Sequence, residues 1–265
     1  VFAGKRIVLT RQYCTDLGEE ESELMKYQAV DRLAVEIMQV FWDEPLQNSR
    51  PAIGKGRILG VYSPVHRIGK TTFAIKLGKV LAQQENVLYL NLESYAGIGG
   101  YFREKEVQDL SHLLYYAKQE QGDISVRIAS MIRQMGNLDY ISPLKVWTDL
   151  RAVTAAEWES LLKRLTQQSI YDTVMLDIGN AVDDVFRVLR ICDRILIPYA
   201  EDVYAKAKME QYRYMLKVLK YRELEGSSVY VNMEKPMRQA VKETAEILTK
   251  QNGKERVHAA GGTAS

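Results

Sequence analysis

From residue 57 onward, short apolar runs alternate with longer amphipathic stretches, and this rhythm constrains the fold more than any other feature of the chain. Runs at 57–62, 87–92, 138–142, 173–176, 194–198 and 229–231 have the length and composition of buried strands. Between them, spacings of three and four predict helices at 70–84, 106–119, 124–135, 155–168, 183–191, 204–221 and 237–250. Phe73, Leu77, Val80 and Leu81 share one face of 70–84, and Trp158, Leu161, Leu162 and Leu165 one face of 155–168. Strands joined through helices run mostly parallel, and a parallel sheet needs cover on both faces. The expected fold class is α/β: a mostly parallel sheet flanked by helices on both faces.

The start of the chain lacks that rhythm. Residues 5–10 read as a strand, 11–21 as a loop and 22–42 as a helix, with Leu24, Tyr27, Val30, Leu33, Ile37 and Val40 at helical spacing. One strand and one helix cannot enclose a core. Residues 1–43 are therefore expected to be a short β-α appendage, docked on the rest or the tail of a further domain. Pro45, Asn48, Ser49, Pro51 and Gly54 mark 44–56 as a linker. The main domain is placed at 57–250, and the polar, Gly/Ala-rich residues 251–265 are expected to form a disordered tail.

Composition removes several function classes. Lys and Arg total 36 against 34 acids, and the net charge of +2 is too small for a protein built to wrap a polyanion, so DNA is not an expected partner. Cys14 and Cys192 stand alone, and His66, His112 and His258 are scattered, so neither a disulfide framework nor a transition-metal centre is expected. No apolar run approaches the roughly 20 residues of a transmembrane helix. The opening Val1-Phe2-Ala3-Gly4 is not a signal peptide, and without Met it is not expected to begin the natural product. The expected location is cytoplasmic.

The junction of the first main-domain strand with its helix reads Pro64-Val65-His66-Arg67-Ile68-Gly69-Lys70-Thr71-Thr72. A turn in this context points backbone N–H groups inward and aims a helix N-terminus at an anion. Gly69, Lys70 and Thr71 match the second half of a phosphate loop: Lys70 for the β- and γ-phosphates, Thr71 for Mg²⁺, with Thr72 suited to the α-phosphate. The first half departs from the pattern, because Pro64 stands where glycine is usual and offers no N–H. The alternative is an ordinary strand–turn–helix that happens to contain Gly-Lys-Thr.

Two acids in the right order favour the nucleotide reading. Asn91-Leu92-Glu93 closes the next strand, which puts Glu93 at the carboxyl edge where such sheets bind ligands. Val174-Met175-Leu176-Asp177 is an apolar strand ending in an acid, the arrangement that holds Mg²⁺ through water. The expected site is then the loop backbone from Val65 through His66, Arg67 and Ile68 to Thr72, with Lys70 and Glu93 as catalytic candidates and Thr71 and Asp177 as Mg²⁺ ligands.

With these pieces in order, residues 57–250 resemble the ParA/MinD group of P-loop ATPases, and within it the TadZ/CpaE proteins that position pilus-assembly machinery. The resemblance is carried by the loop, by Val87–Glu93, by Asp109-Leu-Ser-His-Leu-Leu-Tyr-Tyr116, by Val174–Asp177 and by Val229-Tyr-Val-Asn232. It implies ATP and Mg²⁺ as ligands, an acid at Glu93 that assists hydrolysis, and an adenine lying close to Asn232. It also implies a homodimer, a pilus or secretion assembly as partner, and a place at the cell pole or the inner face of the membrane. A receiver-like domain precedes the ATPase in such relatives, and its last strand and helix would look like residues 5–42. The group's loop carries an early lysine, followed by two glycines, that reaches the partner's nucleotide. Here those positions are Val65, His66 and Arg67, so nucleotide binding is the firmer expectation and turnover stays open.

The predicted helix 204–221 sets Lys206, Lys208, Arg213, Lys217 and Lys220 among tyrosines, a row that would suit DNA phosphates in a partitioning protein. The plainer reading is a solvated helix with Met209, Tyr212, Leu216 and Leu219 packed inward. A third alternative is an interaction module that has lost nucleotide. The helix 237–250 carries Lys242, Glu243, Glu246 and Lys250, too many charges for a membrane anchor, and is expected to pack on the sheet.

Overall fold

The computed structural model describes residues 6–10, 21–25, 56–103, 108–118 and 124–261. Two short strands, β1 (Arg6–Thr10) and β2 (Glu21–Met25), pair parallel in a sheet of their own. The expected helix at 22–42 is thus corrected at its start. Leu24 is buried in a strand whose N–H groups bond across to β1, and a 3.6-residue spacing counted from Leu24 could not show where extended chain gives way. The rest of that helix, and residues 44–55 of the linker expected at 44–56, lie outside the described residues.

The main domain follows in the order β3 (Arg57–Val61), α1 (Lys70–Leu81), β4 (Val87–Leu92), α2 (Leu110–Lys118), α3 (Ile124–Met131), β5 (Ile132–Met135) and β6 (Leu138–Ile141). It continues with α4 (Thr148–Arg151), α5 (Ala155–Gln168), β7 (Thr173–Ile178), α6 (Val185–Ile191) and β8 (Arg194–Tyr199). It ends with α7 (Val203–Val218), α8 (Glu223–Ser227), β9 (Ser228–Asn232) and α9 (Met237–Gly261). The seven strands lie in the order β5-β6-β4-β7-β3-β8-β9, all parallel except β5. The expected fold class holds.

Alternation along the strands divides the core in two. Ile58, Leu88, Leu90, Val174, Leu176, Ile195 and Ile197 face one way, onto α2, α3, α5, α6 and α7. Leu59, Val61, Val87, Tyr89, Met175 and Leu196 face the other way, onto α1 and α9. Continuous burial along β4 and β7 is the mark of a parallel sheet covered on both faces.

Two boundaries differ from expectation. The helix expected at 124–135 stops at Met131, and Ile132–Met135 turns back through Gly136 and Asn137 to pair antiparallel with β6. Gly136 takes φ 74°, which a two-residue hairpin loop requires of its first central residue. The last helix continues to Gly261, so residues 251–261 are helical where a disordered tail was expected.

Helix α5 begins with a reciprocal cap: Glu157 N–H donates to Thr154 Oγ1 (3.3 Å), and Thr154 N–H donates to the Glu157 carboxylate (2.6 Å). Thr154→Ala is expected to lower stability by about 1 kcal/mol, read as a lower urea midpoint at constant slope. The Thr154 N–H holds the Glu157 carboxyl below its ordinary value of 4.5. This part of the stability is therefore complete above that pH and is lost as pH falls through the lowered value.

Candidate functional site

Strand register brings the polar residues together. Asp177 on β7 lies opposite Val61 of β3 on one side and Asn91 of β4 on the other. The loop that follows β3 and the turn that follows β4 therefore open onto the same point of the carboxyl edge, the position at which open α/β sheets take ligands.

The loop is tied down at its start and open at its end. Ser63 Oγ donates to the Pro198 carbonyl (2.7 Å) and accepts from Val65 N–H (3.0 Å), which anchors Val65 in the core while His66 and Arg67 face solvent. Arg67 has φ 61° and Gly69 φ 81°, two left-handed residues that curl the chain before α1. A Cβ at Gly69 would meet the Met237 methyl at 3.4 Å, so the connection after β9 lies against the loop. No side chain caps α1, whose first helical residues are Lys70, Thr71 and Thr72. Its leading N–H groups and the positive end of its dipole are thus available to an anion.

Lys70 reaches inward from this turn. Its ammonium contacts Asp177 Oδ1, the Ile178 carbonyl (2.8 Å) and Glu93 Oε1 (2.7 Å). Asp177 is fully buried, and its Oδ2 accepts from Tyr89 Oη (2.9 Å) and Asn91 Nδ2 (3.2 Å). Asn91 Nδ2 also donates to Tyr89 Oη (3.0 Å), and Asn91 Oδ1 accepts from Glu93 N–H (3.1 Å). Burial, reinforced by the neighbouring Asp177, pushes the Tyr89 hydroxyl well above its ordinary pKa, so it stays a neutral donor. The carboxylate is thereby held on one oxygen and turned toward the loop on the other. The Glu93 carboxylate packs on Gly179, where a Cβ would collide with it.

The remaining expected residues are spread around this centre. Thr72 Oγ1 is hydrogen-bonded to Tyr101 Oη (2.6 Å), from the loop after β4. His66 Nε2 lies 3.4 Å from Asn180 Nδ2. Asn232, in register with Tyr199 at the far end of the carboxyl edge, donates to Glu201 (3.0 Å) and accepts from Glu234 N–H (2.9 Å). Lys70, Glu93 and Asp177 thus meet directly, whereas Asn232 lies on β9, with β3 and β8 between it and β7. Sequence reasoning missed Tyr89 and Tyr101. Tyr89 read as one apolar strand residue among six, and only its inward-facing register with β7 gives it a role.

Thr71 and Asp177 offer hydroxyl and carboxylate oxygens, the donors that a hard cation prefers. Among the described residues no cluster of three His, Cys, Asp or Glu could hold a metal. A divalent ion at this point would need oxygens from a bound ligand as well, which fits a cation carried in with phosphates.

The chain matches no protein-family model and no curated protein. Solved structures do match in fold. A ParA family ATPase from Chlorobium tepidum is 18% identical, over 72% of this chain and 82% of that one, with a TM-score of 0.54. A candidate plasmid partition protein from Borrelia burgdorferi, bound to AMPPNP, is 22% identical over 74% and 84%, with a TM-score of 0.53. An McdA variant from Cyanothece in complex with ATP is 17% identical over 73% and 80%, with a TM-score of 0.51. At these identities the likeness is one of fold alone: a mostly parallel sheet flanked by helices. No described helix is long and apolar enough to cross a membrane.

Proposed function

We propose that this chain is an ATP-binding switch that holds Mg²⁺–ATP in the loop 64–72 and hydrolyses it slowly or not at all. The observation that carries the reading is the meeting of Lys70, Asp177 and Glu93 beneath an uncapped helix N-terminus. Support comes from structural neighbours described as bound to AMPPNP and to ATP. In this reading the amides of 65–72 and the Lys70 ammonium cradle phosphates, and Thr71 and Asp177 hold Mg²⁺, which offsets phosphate charge. Glu93 orients water. The absence of a lysine at Val65, His66 and Arg67 removes the charge that would cross a dimer, which favours retention of ATP over turnover. The resemblance of 57–250 to TadZ/CpaE proteins supports a homodimer that places a pilus or secretion assembly.

A pair of measurements on one sample tests this: equilibrium binding of ATP and single-turnover phosphate release. The reading expects saturable binding with little phosphate released while ATP stays bound. Rapid release, or no binding, would overturn it. Because Tyr101 occupies the Thr72 hydroxyl, Tyr101→Phe is expected to tighten ATP binding roughly five-fold, the equivalent of one neutral hydrogen bond.

DNA partitioning is the second reading, favoured by the exposed Lys206, Lys208, Arg213 and Lys217 of α7. It requires DNA affinity that falls steeply with salt and disappears when Lys206, Lys208 and Lys217 become Ala.

A further inference from the structure

Helix α7 has two apolar faces. Ala205, Met209, Tyr212 and Leu216 are buried on the body of the domain. On the opposite side Val203 is 78% exposed, Tyr204 81%, Tyr214 66% and Val218 55%, with Met215 and Leu219 exposed beside them. Leu219 was expected to pack inward. Helix α7 instead ends at Val218, and Lys220 takes a left-handed φ of 61°. At 100° per residue, 203, 207, 214 and 218 fall within about 60° of each other, diametrically opposite the buried four. The stripe runs roughly 24 Å along the 16-residue helix. Exposed Lys206, Arg213 and Lys217 flank it on one side and Lys208 on the other, and Glu210 is the single acid of the helix.

We propose that this outer face of α7 is a docking surface for an anionic lipid bilayer. Charge selects an anionic partner, and the apolar stripe selects among anionic partners. The valines at the centre give nothing to DNA phosphates, and Tyr204 and Tyr214 could offer them only a hydroxyl each while leaving the apolar surface uncovered. A second copy of the same face would set these cations against each other, over a single helix face smaller than a stable dimer needs. Lysine is depleted in the centres of protein interfaces, whereas beside an apolar stripe its stem can lie along the acyl boundary with the ammonium among headgroups. Tyr204 and Tyr214 suit the same boundary, ring inward and hydroxyl outward. The helix stays packed through its buried four residues, so only its outermost side chains enter the membrane and binding is reversible. The proposal does not depend on nucleotide.

The full chain is sedimented with vesicles of phosphatidylcholine containing phosphatidylglycerol, with pure phosphatidylcholine vesicles, and in parallel titrated with a short DNA duplex. The combined variant Val203→Ser, Tyr204→Ser, Val218→Ser touches only exposed positions, and circular dichroism checks its fold. Binding to the anionic vesicles is expected, weaker by about ten-fold on neutral vesicles, at high salt and in the triple variant. No binding to anionic vesicles, or binding that the triple variant retains, would overturn the proposal. So would duplex binding that survives the three serines and exceeds vesicle binding. Self-association abolished by the same serines would reassign the face to a second copy.

Discussion

Replacing Asp177 with Ala is expected to cost about 3–5 kcal/mol of folding stability. The carboxylate is fully buried and serves three donors: the Lys70 ammonium, the Tyr89 hydroxyl and the Asn91 amide. Truncation strands the buried Tyr89 hydroxyl, takes one acceptor from Asn91, and leaves the Lys70 ammonium with only Glu93 and the Ile178 carbonyl, so the loss comes from a stranded donor as well as from a missing attraction. Asp177→Asn keeps the shape and one acceptor oxygen, and is expected to cost less than half as much. Urea unfolding of the two variants, at unchanged slope, checks the order. Equal losses would mean that the network around Oδ2 contributes little.

Lys70→Ala is expected to weaken ATP–Mg²⁺ binding by at least about 100-fold, since charge-assisted hydrogen bonds to two phosphates are lost together. The same change leaves Asp177 and Glu93 facing each other without their shared cation, so unfolding must be followed alongside binding. Thr71→Val separates the two effects. The Thr71 side chain makes no hydrogen bond among the described residues, so this variant is expected to keep near wild-type stability. It should lose only the part of the affinity that depends on Mg²⁺.

Most of the sheet could be read from the chain because its strands are continuously apolar and its long helices carry a clear inward stripe. Helix Ala155–Gln168 has the bounds that were expected from the spacing of Trp158, Leu161, Leu162 and Leu165, and the structure adds the Thr154–Glu157 cap that fixes its start. Where the reading failed, two local codes competed. Ile124 to Met135 contains both a helical stripe and a strand whose hairpin depends on Gly136, and periodicity alone could not divide them. At Glu21–Met25, Leu24 fits a period of two as well as one of 3.6.

The site was legible in part for a related reason. Glu93 and Asp177 sit at strand ends and Lys70 opens the helix after the first strand, so the order of the motifs along the chain placed these three at one edge of the sheet. Tyr89 is different. A tyrosine within Val87–Leu92 looks like core, and nothing local reveals that its hydroxyl faces the carboxylate of a strand 88 residues away in sequence. Tyr101 was hidden by its setting in a Gly-rich loop, where residue type carries little conformational information. The Lys70 contacts lie between these cases. The lysine was expected to face phosphates, and its ammonium lies against Asp177 and Glu93, the two acids read from the strand ends.

The proposed function requires this loop to bind nucleotide despite Pro64 and the missing glycines. Calorimetric titration of the folded wild-type chain with ATP, with and without Mg²⁺, tests it most directly. A saturable single-site isotherm that tightens with Mg²⁺ and vanishes in Lys70→Ala is the predicted result. A folded wild-type protein giving no binding heat at millimolar ATP–Mg²⁺, confirmed by equilibrium dialysis, would mean that the loop is not a nucleotide site.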